Sequence, residues 1–389
     1  MRHVGRALLA CSFLWTLSMS AAAGSALEAQ ARLEPVPFAA LAGWAKDDHA
    51  AAYHAFLRSC RALDASASAL RPAQAPQADL LAICREALKT PDPGKTEARL
   101  FFETHFEPVA VTPHAGSGFL TGYYEPEFQG SRTPDATYRV PLLDRPEDLV
   151  TVAQGETLPG LEPGLQAARR TGRGYEPYPD RAAIEEGALG PRARPIVFLS
   201  EPGEAFIIHV QGSARIRLGD GSVMRVAYAG RNGRPYTSIG RLLVQQGEID
   251  LETMTLAKLM GWLKDHPEPA KALMRRNESY IFFREASELA PEDGPIGGAG
   301  IPLVPGRSLA VDRSLWAYGL PIWLDGQLPL TLDTAEPLQR LMIAQDTGSA
   351  IVGPARGDFF FGSGEEAGRR AGLLRHPVRF VVLRPKPRS

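Results

Sequence analysis

At Gly118 the sequence changes period, and that change limits the fold more than any other feature. Across residues 38–109 apolar side chains recur at helical spacing: Ala39, Leu41 and Trp44, then Tyr53, Phe56, Leu57, Cys60 and Leu63. Leu80, Leu81, Cys84 and Leu88 repeat the pattern, as do Leu100, Phe101, Phe102 and Phe106, with breaks at Ala75-Pro76-Gln77 and Thr90-Pro91-Asp92-Pro93-Gly94. From Gly118 the text becomes strand-like. GFLTGYYEPEFQGSR, RPIVFLS and AFIIHVQGSARIRLGDGSVMRVAYAG read as short strands, and Asp220-Gly221 predicts a hairpin. Helices are expected again over 239–246, 256–264 and, after a break at Pro267, 269–276; strands return from Asn277 to Val382. Short strands without interleaved long helices predict a barrel or sandwich, not a doubly wound parallel sheet. A chain of 389 residues suggests two domains, one of them able to interrupt the other.

The N-terminus speaks for export. Arg2 and Arg6 precede an apolar run from Ala7 to Met19 and then small residues, the pattern of a secretory signal too short to span a membrane. Leu8-Leu9-Ala10-Cys11 reads as a lipobox, which would place a lipidated Cys11 at the mature end. The apolar run continues past Cys11 through Trp15, however, and a cut after Ala23 or Ala26 fits it better. Cys60 and Cys84 then remain, and an even pair in an exported chain reads as a disulfide, with two buried thiols as the alternative. The net charge of −1 removes bulk attraction to nucleic acid. The eight His are scattered, without HExxH or CxxC spacing, so no metal and no cofactor is expected.

The chemistry concentrates in AQDTGSAIVGPARGDFFFGSGEEAGRRAG, residues 344–372. Asp346 precedes a sharp Thr347-Gly348-Ser349 turn, while Asp358 precedes Phe359, Phe360 and Phe361. On a strand, Asp358 and Phe360 would share one face and Phe359 and Phe361 the other. A carboxyl held against aromatic rings loses hydration, which favours its protonated form and makes a general acid near neutral pH. Carboxylates with aromatics are the equipment for carbohydrate chemistry, in which a leaving oxygen needs a proton. Tyr123 and Tyr124 offer flat faces to sugar rings, and Gln211-Gly212-Ser213 and Asn232-Gly233 offer amide and backbone hydrogen bonds. Each of these taken singly also reads as a turn, a cap or a core ring.

As an ordered set they do not. GYYEP (122–126), HVQGSARIRLGDGS (209–222), YAGRNGRPYTSIGR (228–241), NESYIFF (277–283), PLVPGRSLAVD (302–312) and AQDTGSAIVGPARGDFFFGSGEEAG (344–368) resemble the MltA family of exported lytic murein transglycosylases. The resemblance implies a mainly β, α+β fold. A double-psi β-barrel domain would be built from a helical part (27–120, after a signal at 1–26) and a three-aspartate segment (277–389), with a second β-domain (121–276) inserted and a groove between them. It implies a peptidoglycan lytic exotransglycosylase that forms 1,6-anhydromuramoyl ends, with Asp358 as sole acid/base and Asp346 and Asp312 as supporting acids. Thr121, Tyr123, Tyr124, Gln211, Gly212, Asn232 and Ser238 would bind substrate. The implied partners are peptidoglycan glycan strands in the periplasm, with outer-membrane association and cell-wall synthesis or division complexes as further expectations. The run Gly353-Pro354-Ala355-Arg356-Gly357 departs from the commoner Gly-Lys text, and is expected to alter loop shape and not the acid. Two other readings stay open: a hydrolase of the same bond using Asp346 as second carboxylate, and a non-catalytic peptidoglycan-binding scaffold.

Overall fold

The computed structural model describes residues 26–90, 92–152, 156–162 and 165–387; the expected signal sequence, apart from Ala26, and Cys11 lie outside the described residues. The molecule is α+β and mostly sheet. Its largest sheet has eight strands in the order Ala31–Pro35, Phe106–Pro113, Arg375–Pro385, Pro321–Pro329, Ala335–Asp346, Ser308–Val311, Arg356–Ser363 and Phe119–Glu125. Arg375–Pro385 also pairs with Phe119–Glu125, which closes six of the eight strands into a ring.

Strand alternation fills both faces of that ring. Ile322, Leu324, Met342, Phe359, Phe380 and Val382 point into its interior. Trp323, Leu341, Ile343, Val381 and Leu383, the intervening residues, point outward under the N-terminal helices against Phe56, Phe102 and Phe106. Strands buried on both faces are therefore near-continuous apolar runs. The helices are His49–Asp64, capped by Asp48 on the Ala51 N–H, then Ala78–Ala87 and Lys95–His105. Cys60 and Cys84 form a disulfide that joins the first two. The N-terminal part is not all helical: Ala31–Pro35 and Phe106–Pro113 extend the large sheet, so Val109 lies in a strand and not in a helix.

A second sheet runs Ile281–Glu285, Val223–Arg231, Ser213–Leu218, Glu127–Gly130. Its hairpin turns at Asp220-Gly221, where Gly221 takes φ 83°, a left-handed conformation that the predicted turn demands. AFIIHVQ is not a strand. It belongs to the helix Pro202–Gln211, opened by Pro202 and by Glu204, whose carboxylate receives the Glu201 N–H, and ended by Gly212 at φ 82°. A continuous apolar run carries no period of its own, so the Glu-Pro-Gly-Glu start was the informative signal.

The sheets exchange partners a few residues away from the expected domain boundaries. Phe119–Glu125 is hydrogen bonded into the ring, whereas Ile281–Glu285 belongs to the second sheet. At the crossing, the buried Glu125 carboxylate accepts from Arg215 Nε at 2.8 Å, Arg225 Nη2 at 2.9 Å and Ser363 Oγ at 2.6 Å. Removing one member of such a buried cluster costs about 3–5 kcal/mol, so this point holds the two sheets together.

Candidate active site

Strand register builds one wall of a cleft of about 870 Å³. Asp346, Ala310, Asp358 and Thr121 are partners across four consecutive strands. Neighbouring strands lie about 4.8 Å apart, which puts the two aspartate Cα atoms roughly 10 Å from each other. The methyl of Ala310 between them leaves the floor open. Two residues along the same face, Phe360 pairs with Tyr123, their ring centroids 5.2 Å apart. Phe359 lies in the ring interior with Phe361 packed against it, as the alternation predicts.

The two aspartates differ in how their oxygens are used. Asp346 Oδ1 accepts from the Gly298 N–H (2.7 Å) and the Thr347 N–H (2.8 Å), and its Oδ2 accepts from the Tyr123 hydroxyl (2.9 Å). Asp358 Oδ1 accepts from Thr121 Oγ1 at 2.5 Å, and Oδ2 takes no hydrogen bond from any described residue. Thr121 in turn accepts from Arg356 Nη2 at 2.7 Å. Burial pushes the Asp358 carboxyl up to about 6, against the Arg356 charge and the Thr121 hydrogen bond, and the Asp346 charge pushes the same way. Burial also raises Asp346, opposed by Arg71 and by its three donors.

The other wall comes from the helices around the second sheet. The helix Pro202–Gln211 delivers His209, Gln211 and Gly212 to the cleft at its C-terminal end. Gln211 Oε1 accepts the Tyr124 N–H at 3.1 Å, which leaves the amide N–H groups for the cleft. His209 is buried and held neutral by burial and by Arg181. Tyr236 is half-buried in the same wall, and Ser238 caps the helix Ile239–Gln245.

Seven of the ten residues expected at the site line this cleft: Thr121, Tyr123, Gln211, Gly212, Ser238, Asp346 and Asp358. Three do not. Tyr124 points to the opposite face of its strand from Tyr123 and packs against Ala367 and Ala371. Asn232 is fully buried and bonds the backbone of Pro179, Glu278 and Tyr280. Asp312 accepts from Ser314 and from the Gly353 N–H at 2.7 Å, bracing the loop behind Asp346. Arg356 is a second correction: it bears on the Asp358 carboxyl through Thr121, and not on loop shape alone. Its place two residues before Asp358 on one strand was the available signal, since i and i+2 share a face. No group of His, Cys, Asp or Glu among the described residues could hold a metal ion.

Known proteins resemble this chain in sequence and in fold. Residues 119–284 match the family described as the MltA specific insert domain, and residues 307–384 match the 3D domain. The chain is 33% identical over 279 residues to membrane-bound lytic murein transglycosylase A of Escherichia coli K12, covering 70% of this chain and 67% of that protein. It is similar to the crystal structure of a membrane-bound lytic murein transglycosylase from Agrobacterium tumefaciens, with TM-score 0.82 and 38% identity over 91% of this chain and 97% of the other. It also resembles E. coli MltA with bound chitohexaose, with TM-score 0.59 and 28% identity over 80% and 84% of the two chains.

Proposed function

This chain belongs to the MltA family of lytic murein transglycosylases, and from that premise we propose how its cleft cuts peptidoglycan. The enzyme is a peptidoglycan lytic transglycosylase; the proposal concerns its product and its acid. Asp358, protonated, gives its proton to the oxygen leaving C1 of N-acetylmuramic acid in the β-1,4 bond to N-acetylglucosamine. Positive charge develops at C1. The Asp358 carboxylate then takes the proton of the muramoyl C6 hydroxyl as O6 closes on C1. The product is a 1,6-anhydromuramoyl end, and Asp358 is protonated again, so one group serves as acid and base.

The observation that carries this reading is the unequal use of the two carboxylates. Asp358 has one oxygen fixed by Thr121 and the other without a protein donor, with its carboxyl raised to about 6. Asp346 has both oxygens engaged by three donors, which supports a positioning role and speaks against activation of water. Tyr123, Gln211, Gly212 and Ser238 would hold the glycan, while Asp312 supports the loop behind Asp346. We read the closed six-strand ring as the double-psi barrel, with the second domain inserted between Glu125 and Ala286. We place the enzyme in the periplasm; the relatives named membrane-bound favour association with the outer membrane, and no helix among the described residues is long and apolar enough to cross one.

Digestion of purified murein sacculi tests the product. Muropeptides lighter by one water than their reducing-end counterparts are expected. Ordinary reducing ends would make the enzyme a hydrolase, and binding without release would make it a scaffold.

A further inference from the structure

Four arginines are buried among the described residues, and three of them have a carboxylate. Arg225 pairs with Glu125, Arg307 with Asp47 at 2.8 Å and Arg181 with Glu185 at 3.6 Å. Arg231 has none. Its guanidinium donates to neutral groups alone, namely Gln166 Oε1 (3.2 Å), Ser349 Oγ (2.6 Å) and the Arg234 carbonyl (2.6 Å). Its Nε is buried without a partner. An unpaired buried charge is expensive and calls for an anion.

The surroundings add positive charge. Arg71 lies over the Tyr228 ring at 4.4 Å and donates to the Thr347 carbonyl at 2.9 Å. Burial, with Arg71 and then Arg313 nearby, holds Arg231 down at about 10. Asp346 is the carboxylate that faces Arg71, and its oxygens are engaged elsewhere. Arg71, Arg231, Tyr228 and Ser349 all line the cleft. Its Asp346 end is thus cationic, with hydrogen-bonding capacity that a neutral sugar cannot neutralise.

We propose that Arg231, with Arg71 beside it, is a carboxylate-binding subsite that receives an anionic substituent of the glycan strand. It rests on the glycan-cleaving reading above and adds substrate selection to it. Two carboxylate sources exist on a murein strand: the peptide stem, and the lactyl group exposed when the stem is removed. A guanidinium–carboxylate contact in such a site is worth about tenfold or more in affinity.

The test measures binding by calorimetry to the full mature chain carrying Asp358→Asn, which leaves strands uncut. Three probes of equal glycan length are compared: peptide-bearing strands, strands stripped by an amidase, and peptide-bearing strands whose carboxyls have been amidated. The carboxylate-bearing strands should bind at least about tenfold more tightly than the amidated ones, with an advantage that shrinks as salt rises. If only peptide-bearing strands keep the advantage, the stem supplies the anion; if stripped strands keep it, the lactyl group does. Arg231→Gln should abolish the advantage while affinity for amidated strands stays within about twofold, and Arg71→Gln should reduce it. Equal affinity for charged and amidated strands would overturn the subsite without touching the proposed function. So would an Arg231→Gln loss equal for all three probes, which means that Arg231 only braces the Ser349 loop. No binding of any probe would overturn the glycan reading itself.

Discussion

On the ring wall of the cleft, Asp346, Ala310, Asp358 and Thr121 stand in one row of hydrogen-bonded strands, their spacing set by register. On the facing wall, His209, Gln211 and Gly212 come from the end of a helix, and Tyr236 and Ser238 from a loop and its cap. The first arrangement fixes groups relative to each other within the pleat of a sheet buried on both faces. The second presents hydrogen-bonding groups from a helix end and a helix cap, outside any strand register. Proton transfer needs tightly fixed geometry more than sugar recognition does, and the proposed acid, Asp358, is on the ring.

The largest effect should come from removing the proposed acid. Asp358→Asn is expected to lower turnover by at least about a thousandfold while sacculus binding persists. The same variant should be more stable than the parent at pH 8. The folded-state carboxyl sits near 6 against an ordinary 3.8, so the folded form holds its proton longer and the parent loses stability as pH rises from about 4 to 6. That loss is at most about 3 kcal/mol, and Asn removes it. Thermal melts at pH 4 and pH 8 check the sign; a Tm gain at pH 4 alone would contradict the burial argument.

Next in size are the two tyrosines, which share a strand and face opposite ways. Tyr124→Ala should cost about 3 kcal/mol of stability by emptying its contact with Ala367 and Ala371, with glycan affinity retained in the folded fraction. Tyr123→Ala should weaken glycan binding and free the Asp346 oxygen that it holds. Equal behaviour of the pair in denaturation and binding assays would erase the distinction between wall and core.

The disulfide lies in the helices behind the ring, and neither of its cysteines lines the cleft. Replacing Cys60 and Cys84 together by Ala should cost about 3 kcal/mol in denaturant melts, the loop-closure term for a separation of 24 residues, and leave kcat unchanged. A fall in kcat at a temperature where the variant is fully folded would tie the helices to the cleft.

The smallest effects are shifts in pH profile, and their opposite signs are diagnostic. The falling limb of kcat/KM, near pH 6 in the parent, should move to higher pH in Arg356→Met and Thr121→Val, which remove what favours the carboxylate. It should move to lower pH in Asp346→Asn, which removes a neighbouring negative charge. Movement of all three in one direction would mean that the limb belongs to another group.

Sequence gave access to what repeats or punctuates. The hairpin at Asp220-Gly221, the alternation of Asp358 and Phe360 against Phe359 and Phe361, and the change of texture at Gly118 follow from local rules. Asn232 and Tyr124 misled because a polar group in a Gly-rich turn and a ring beside another ring look alike whether they face a ligand or a neighbour. Their roles depend on Glu278, Tyr280 and Ala371, far away in the chain. Arg231 was invisible as a site for the related reason that an arginine's missing partner is a fact about space, not spacing.

The hydrogen bond from Thr121 to Asp358 spans 237 positions of sequence. Its donor strand also pairs with Arg375–Pro385, the last strand in chain order. The burial that raises the Asp358 carboxyl therefore needs parts of the chain more than two hundred residues apart. In a nascent or unfolded chain Asp358 is an ordinary solvated carboxylate, ionised at neutral pH and unable to donate a proton. The raised carboxyl is thus a property of the closed ring and not of any local stretch of the chain.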